Sequence, residues 1–185
     1  MVKFMKIKIL FIVLALALFS SCSAKAIPVF DLDLNQLSSN IIDCVPSDFG
    51  YCDVGDYYFD SYFGDLYGVK QFRIYRCNES TNFNEIGIFE FESPKLAREA
   101  EKIITNYLQR CKIEFENGII YNADEYPKFK NASHKRIENV IIYTILDYES
   151  TKKVIEEFEK YIQNKGQQPL ILLLVGKPLS LPPLI

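Results

Sequence analysis

The 185-residue chain has no tryptophan, one histidine, His134, and no cysteines in a CxxC spacing. Protein zinc sites are usually built from cysteine and histidine ligands at short spacings, so these absences argue against a zinc centre. The sequence also lacks a phosphate-binding GxxxxGK[ST] loop and a GxSxG nucleophile elbow. Because no catalytic constellation is visible, we expect a protein that is not an enzyme and uses no cofactor. His134 lies in a polar, basic stretch, and a surface position is favoured for it over a catalytic one.

Long hydrophobic runs are also missing. The run at residues 9–19 has 11 apolar residues, which as a helix rise only about 16 Å. A bilayer core needs roughly 20 residues, so this run does not predict a permanent transmembrane helix. Lysines precede it, and two serines followed by Cys22 close it. That order is typical of an export signal, and small residues before a cysteine resemble a bacterial lipoprotein signal.

We therefore expect cleavage before Cys22 and attachment of acyl chains such as palmitate to its side chain. Two or more acyl chains give stable membrane attachment, whereas one chain is marginal. Phe19 occupies the place where such signals usually carry leucine, and Ala24-Lys25-Ala26 offers an ordinary secretory cleavage site as the alternative. The predicted organisation is a signal at residues 1–21, a tether at 22–30, one domain at 31–166 and an apolar tail at 167–185.

Charge argues against a nucleic-acid partner. The signal holds three of the 21 basic residues and none of the 24 acidic ones, so the mature chain has 18 basic and 24 acidic residues, a net charge of −6. A mildly acidic domain is not built to bind phosphate backbones. The partners that remain are the membrane, through the lipid, and an envelope protein or a small ligand.

The hydrophobic pattern predicts an α+β domain. Residues 31–45 are helical in pattern, and strands at 72–77 and 85–92 form a hairpin in which Glu90 and Glu92 point outward. Ser93-Pro94 is a strong helix start, leading to an amphipathic helix that ends near residues 112–115. A second strand pair at 134–136 and 140–146 precedes a closing helix that ends near residue 165. Two strand–strand–helix units predict a two-layer sandwich, with a four-stranded antiparallel sheet and its helices on one face.

Residues 46–69 interleave aromatic residues, aspartates and glycines, and predict an ordered loop with one helical turn near residues 59–66. Its aromatic residues are a candidate interaction surface, because exposed aromatic side chains mark recognition sites: Tyr57, Tyr58, Phe59, Tyr62 and Phe63. The alternative is that they cover the sheet face that the helices leave bare. A calcium site formed by the segment's acidic residues is disfavoured against a solvated loop, since the spacing is not that of an EF-hand: Asp48, Asp53, Asp56, Asp60 and Asp65.

Four cysteines follow Cys22, and an even number in an exported chain permits two disulfides. The helix after a hairpin runs back along the second strand, so Cys111 is expected near Cys77 and the two are expected to pair. Cys44 and Cys52 bracket a short loop and are expected to form the second pair. The alternative is four reduced, buried cysteines.

The tail is open to several readings. Its run at residues 170–175 is too short to span a membrane. An extra edge strand, a disordered tail and a partner-binding strip all fit it, and its prolines favour a tail without regular structure.

From Gly64 to about Gln163 the chain resembles a family of small exported lipoproteins of Firmicutes, of the clostridial type, defined only as a domain of unknown function. The resemblance rests on the motifs at residues 66–69, 84–91, 126–132 and 140–146. It implies a lipid-anchored α+β domain, and it carries over no active-site residue. We therefore expect an extracytoplasmic lipoprotein that binds a partner or ligand without catalysis. An envelope accessory protein without a ligand is the second reading, and an enzyme with an unrecognised site is the last.

Overall fold

The computed structural model describes residues 28–45, 47–118 and 122–166. Five α-helices lie within these residues: α1 at Leu34–Cys44, α2 at Gly55–Tyr58, α3 at Pro94–Glu116, α4 at Tyr126–Lys130 and α5 at Tyr148–Gly166. A π-helix at Phe59–Phe63 continues α2, and a 3-10 turn at Ala123–Glu125 leads into α4. The predicted signal, Cys22 and the apolar tail lie outside the described residues.

One antiparallel sheet of five strands forms the centre of the described domain. Its strands are β1 at Tyr51–Asp53, β2 at Val69–Cys77, β3 at Glu85–Phe91, β4 at Ser133–Ile137 and β5 at Val140–Ile145. Their order across the sheet is β1-β2-β3-β5-β4, so β3 and β5 occupy its centre. The predicted hairpins β2–β3 and β4–β5 are confirmed, as is the α+β class.

Helices cover both faces of the sheet, so the predicted two-layer arrangement is wrong. On one face, α1 and α5 pack with Leu37, Ile41 and Phe158 against Ile86 and Ile142. On the other face, α3 and the π-helix pack against a second set of strand residues: Ile74, Phe89, Phe91, Ile141 and Tyr143. Every residue of β3 and β5 is buried. Strands that are apolar on both faces need a cover on each, which makes a third layer necessary.

Local capping signals place the helices where the sequence predicts them. Ser93 caps α3 by accepting a hydrogen bond from the backbone N–H of Leu96 at 3.3 Å, and Pro94 occupies the first turn. Asp33 caps α1 in the same way through the N–H of Gln36 at 3.1 Å.

The segment between α1 and β3 holds more regular structure than predicted. β1 is a fifth strand, and β2 begins at Val69 rather than at residue 72. β1 has only three residues, which is too short for a recognisable alternation, and its pairing with β2 defines it. The predicted helical turn is present as α2 and the π-helix.

Residues 30–32 are tied into the sheet. The Asn139 side chain accepts from the Phe30 N–H at 2.8 Å and donates to the carbonyls of Phe30 and Phe91 at 3.0 Å. Glu90 accepts from the Leu32 N–H at 3.0 Å and pairs with Lys70 at 2.9 Å. Phe30, predicted to end the tether, is therefore part of the folded domain.

The buried position of Glu90 corrects the prediction that it points outward, since its side chain has no exposed surface. Glu92 is exposed, as predicted. Among the described residues, none of the helices has both the length and the hydrophobicity needed to span a membrane.

Candidate functional site

The aromatic residues of the predicted interaction surface are divided between core and surface. Phe63 is fully buried, with ring centroids 5.2 Å from Phe89 and 4.8 Å from Tyr107. Tyr57 is 73% exposed. The five residues therefore do not form one continuous surface, because α2 and the π-helix turn successive side chains toward different neighbours.

Tyr58 and Tyr62 instead border a cavity of about 170 Å³ between the π-helix, the sheet and α3. Their rings lie 5.1 Å apart. Arg76 and Glu85 line the cavity from the sheet, and Arg110 lines it from α3. We call this space the Arg76–Glu85 cavity.

Glu85 lies at the centre of a buried polar network. One of its oxygens, Oε1, accepts hydrogen bonds from the hydroxyls of Tyr107 at 2.6 Å and Tyr143 at 2.7 Å. The other, Oε2, lies 3.5 Å from the Arg76 Nε. That Nε is buried and makes no hydrogen bond, so Arg76 and Glu85 form an ion pair without a hydrogen bond from this atom.

Burial sets the protonation of this network. It raises the pKa of the Glu85 carboxyl, while the two tyrosine hydrogen bonds and the Arg76 charge act in the opposite direction. Burial and the nearby Glu85 carboxylate raise the pKa of Tyr107 and Tyr143 far above their ordinary values. The tyrosines therefore remain protonated donors, which suits them to hold a carboxyl group and not to act as bases.

The rim of the cavity combines charge with aromatic faces. The Arg110 guanidinium lies 4.9 Å from the ring centroid of Tyr62 and 5.6 Å from that of Tyr107. The Nη1 of Arg76 donates to the Tyr58 hydroxyl at 2.5 Å. Cys111 also lines the cavity, and burial raises the pKa of its thiol to about 12. A thiol with so high a pKa is a poor nucleophile at neutral pH.

A second, open depression of about 890 Å³ follows the outer side of β2. Its apolar lining comes mainly from Val54, Tyr57, Phe59, Val69 and Phe72. Phe59 stacks on Phe72 with ring centroids 4.4 Å apart. We call this depression the β2 edge groove.

All four described cysteines are free thiols, and the predicted pairs are wrong. Side chains leave a strand on alternate faces. Cys77 therefore faces the α1 side of the sheet, whereas its neighbour Arg76 faces the α3 side, where Cys111 lies. Cys52 is the cross-strand partner of Arg76 and shares its face, while Cys44 is in α1 on the opposite side. Each predicted pair is thus separated by the sheet.

The acidic residues at positions 48–65 do not converge. Within the described parts of the chain, no group of three or more His, Cys, Asp or Glu side chains could hold a metal ion. Asp53 accepts the Gly55 N–H at 2.8 Å and lies 3.5 Å from Arg73, which gives it a structural role.

His134 lies on the edge strand β4, partly buried, with Nε2 3.7 Å from Glu101. The same carboxylate pairs with Arg136 at 2.9 Å. The histidine lines neither the Arg76–Glu85 cavity nor the β2 edge groove.

The sequence reasoning missed most residues of the Arg76–Glu85 cavity, among them Arg76, Glu85, Tyr107 and Arg110, and also Tyr143, which holds Glu85 from the core. One signal was available: Glu85 opens a strand whose other residues are mostly apolar. No model of a protein family, no curated protein and no solved structure matches this chain.

Proposed function

We propose that this chain is an exported, lipid-anchored and non-catalytic binding module of the cell envelope, and that the Arg76–Glu85 cavity is its ligand site. The sequence order of basic residues, apolar run, serines and Cys22 supports the export and the anchor. The resemblance to the lipoprotein family of unknown function supports the same proposal and assigns no ligand.

The position of Phe30 limits how far the folded domain can lie from a lipid attached at Cys22. The eight residues that follow Cys22, ending at Phe30, span at most about 26–29 Å when fully extended. Because Phe30 is bonded to Asn139, the end of the sheet that carries this residue would face the membrane at close range.

The intact mass of the protein from its native membrane tests the anchor. A chain that begins at Cys22 and carries acyl chains is the expected result. A chain that begins at Ile27 without lipid would overturn the anchor and leave a freely secreted domain.

The observation that carries the binding proposal is an accessible cavity whose wall holds the guanidinium of Arg76, the Nε of which makes no hydrogen bond and lies 3.5 Å from Glu85 Oε2. A guanidinium presents a fork of N–H donors, and a carboxylate is its geometric match. Arg110 at the rim adds a second positive charge, which lies 3.8 Å from the carboxylate of Glu114 in the same lining. The volume, about 170 Å³, is below that of drug-sized ligand pockets and suits a ligand of few heavy atoms. We therefore expect a small carboxylate, including zwitterionic amino acids.

Acetate and glycine are the probes for this site, and the NMR signal of the Arg76 Nε–H is the readout. A saturable shift is expected, and it should weaken in Arg110→Gln. Arg98→Gln is the matched control, because Arg98 is an exposed arginine on the same helix and does not line the cavity. No shift at tens of millimolar probe, or equal weakening in both variants, would contradict a carboxylate site.

A second candidate is an envelope accessory protein without a ligand. The burial of Phe63 and the packing of Phe59 on Phe72 favour it, since these side chains already have partners within the domain. Under this alternative neither probe shifts the Arg76 signal.

A further inference from the structure

The outer edge of β2 is only partly paired. β1 pairs with residues 75–77, and the Val54 N–H extends this pairing by one bond to the Ile74 carbonyl at 2.8 Å. Within the part of the chain that the structure describes, no strand pairs with this edge at residues 69–73. Backbone groups alternate in direction along an antiparallel strand, so the N–H and carbonyl of Phe72 point to the same edge as those of Ile74.

The β2 edge groove lies beside this open stretch. Phe59 and Phe72 present stacked rings to it, and Tyr57 is largely exposed at its border. An open strand edge beside an apolar depression is the arrangement to which an extended segment adds as a further strand.

The last described helix, α5, ends close to this edge. A Cβ atom built on Gly166 would lie 3.7 Å from the Phe30 ring. Lys165 lines the same surface depression as Gln71 and Arg73 of β2. The chain therefore leaves the folded domain beside the open edge, and residues 167–169 add up to about 11 Å of reach.

The sequence supplies a segment of matching length at this point. Residues 170–175 are six consecutive apolar residues, Leu-Ile-Leu-Leu-Leu-Val. As a strand they would extend about 20 Å, against about 17 Å for the five open residues of β2.

We propose that residues 170–175 add to the open edge of β2 as a sixth strand and cover the β2 edge groove. The pairing gives the outward N–H of Phe72 an acceptor, while the Phe72 carbonyl already accepts from Arg73 Nη1 at 2.9 Å. The leucine side chains on one side of the strand bury the Phe59–Phe72 stack. It also removes an exposed strand edge, which would otherwise be a site for edge-to-edge association. This inference concerns the β2 edge groove and is independent of the Arg76–Glu85 cavity.

Hydrogen exchange of the Phe72 amide in the full mature chain tests the proposal. Leu172→Pro removes a strand hydrogen bond and opposes extended pairing. It should speed Phe72 exchange by about 10-fold or more while exchange at β5 is unchanged. Leu181→Pro lies in the same tail beyond the proposed strand and is the matched control, expected to leave Phe72 exchange unchanged.

Three results would overturn the proposal. The first is a Phe72 amide that exchanges equally fast in the unaltered chain and in Leu172→Pro. The second is protection that depends on protein concentration, which would assign the edge to a second copy of the chain. The third is protection of residues 170–175 only on phosphatidylglycerol vesicles, with Phe72 unprotected, which would assign the tail to the bilayer.

Discussion

Gly87→Ala should destabilise the domain strongly, because the ring of a neighbouring tyrosine lies against the glycine. Gly87 of β3 is the cross-strand partner of Tyr143 of β5. A Cβ atom added at position 87 would lie 2.0 Å from Cε1 and 2.5 Å from Cζ of Tyr143. Carbon atoms in contact are normally about 3.5–4.0 Å apart, so the ring would have to move by well over an ångström.

The surroundings of Tyr143 restrict that movement. The residue is fully buried, and its ring centroid lies 5.7 Å from those of Phe63 and Tyr107. Its hydroxyl donates to Glu85. Overpacking of a core costs about 1–3 kcal/mol, and the loss of a hydrogen bond to a charged group costs about 1.5–3 kcal/mol. We expect the free energy of unfolding to fall by about 3–5 kcal/mol when both effects act.

Urea unfolding followed by circular dichroism gives this quantity, and Gly64→Ala is the matched control. Gly64 is exposed, has φ −57°, and its nearest neighbour to an added Cβ is 3.5 Å away. Alanine at such a helical position should stabilise by about 0.4–1 kcal/mol through the unfolded state.

A loss below about 1 kcal/mol for Gly87→Ala would refute the reasoning. The double variant Gly87→Ala/Tyr143→Leu provides an internal check, since a smaller side chain at position 143 removes the contact. The Gly87 substitution should then cost less than it does alone. Additive effects would show that the tyrosine ring is not the source of the destabilisation.

Three further predictions follow from the same structure. The raised pKa of Glu85 means that the folded state binds the carboxyl proton more tightly than the unfolded state, so the contribution of Glu85 to stability falls as pH rises from about 4.5 through the folded pKa. Urea unfolding at several pH values measures this slope, and Glu85→Gln should abolish it. An unchanged slope in the variant would contradict the raised pKa of Glu85. Under denaturing conditions without reductant, iodoacetamide should modify all four thiols: Cys44, Cys52, Cys77 and Cys111. In the folded protein, Cys111 should be far less reactive than an unperturbed thiol because its pKa is about 12. Mass spectrometry measures alkylation in both states, and any pair that resists alkylation after unfolding would reveal a disulfide. Ser93→Ala removes the cap on the Leu96 N–H and should lower the free energy of unfolding by about 1 kcal/mol, and an unchanged urea midpoint would show that the cap contributes nothing.

The main helices and the two hairpins were predictable because their causes are local. Ser93 and Pro94 mark the start of α3 through groups within the first turn of the same helix. The apolar run of β5 likewise predicts a strand. That run also held a signal that the prediction of a two-layer fold did not use. Every residue in it is apolar apart from Thr144, which is the pattern of a strand buried on both faces.

The candidate site was much less predictable. Glu85 and Glu90 look alike as acidic residues in an alternating strand, yet both are buried. Glu85 is held by Tyr107 and Tyr143, which lie 22 and 58 residues away in sequence. Burial of a carboxyl group depends on such distant partners, and the apolar residues that follow Glu85 were the one local signal of it.

The sequence by itself determined the starts of α1 and α3, the β2–β3 and β4–β5 hairpins and the prediction of an exported, lipid-anchored chain, because each depends on neighbouring residues. The tertiary structure alone decided which face of the sheet each side chain occupies. It placed the predicted cysteine partners on opposite faces and divided the aromatic segment between core and cavity. The physical reason is that β3 and β5 are buried only when helices pack on both faces of the sheet. Which face each helix covers depends on the packing of the whole domain and not on residues within the helix.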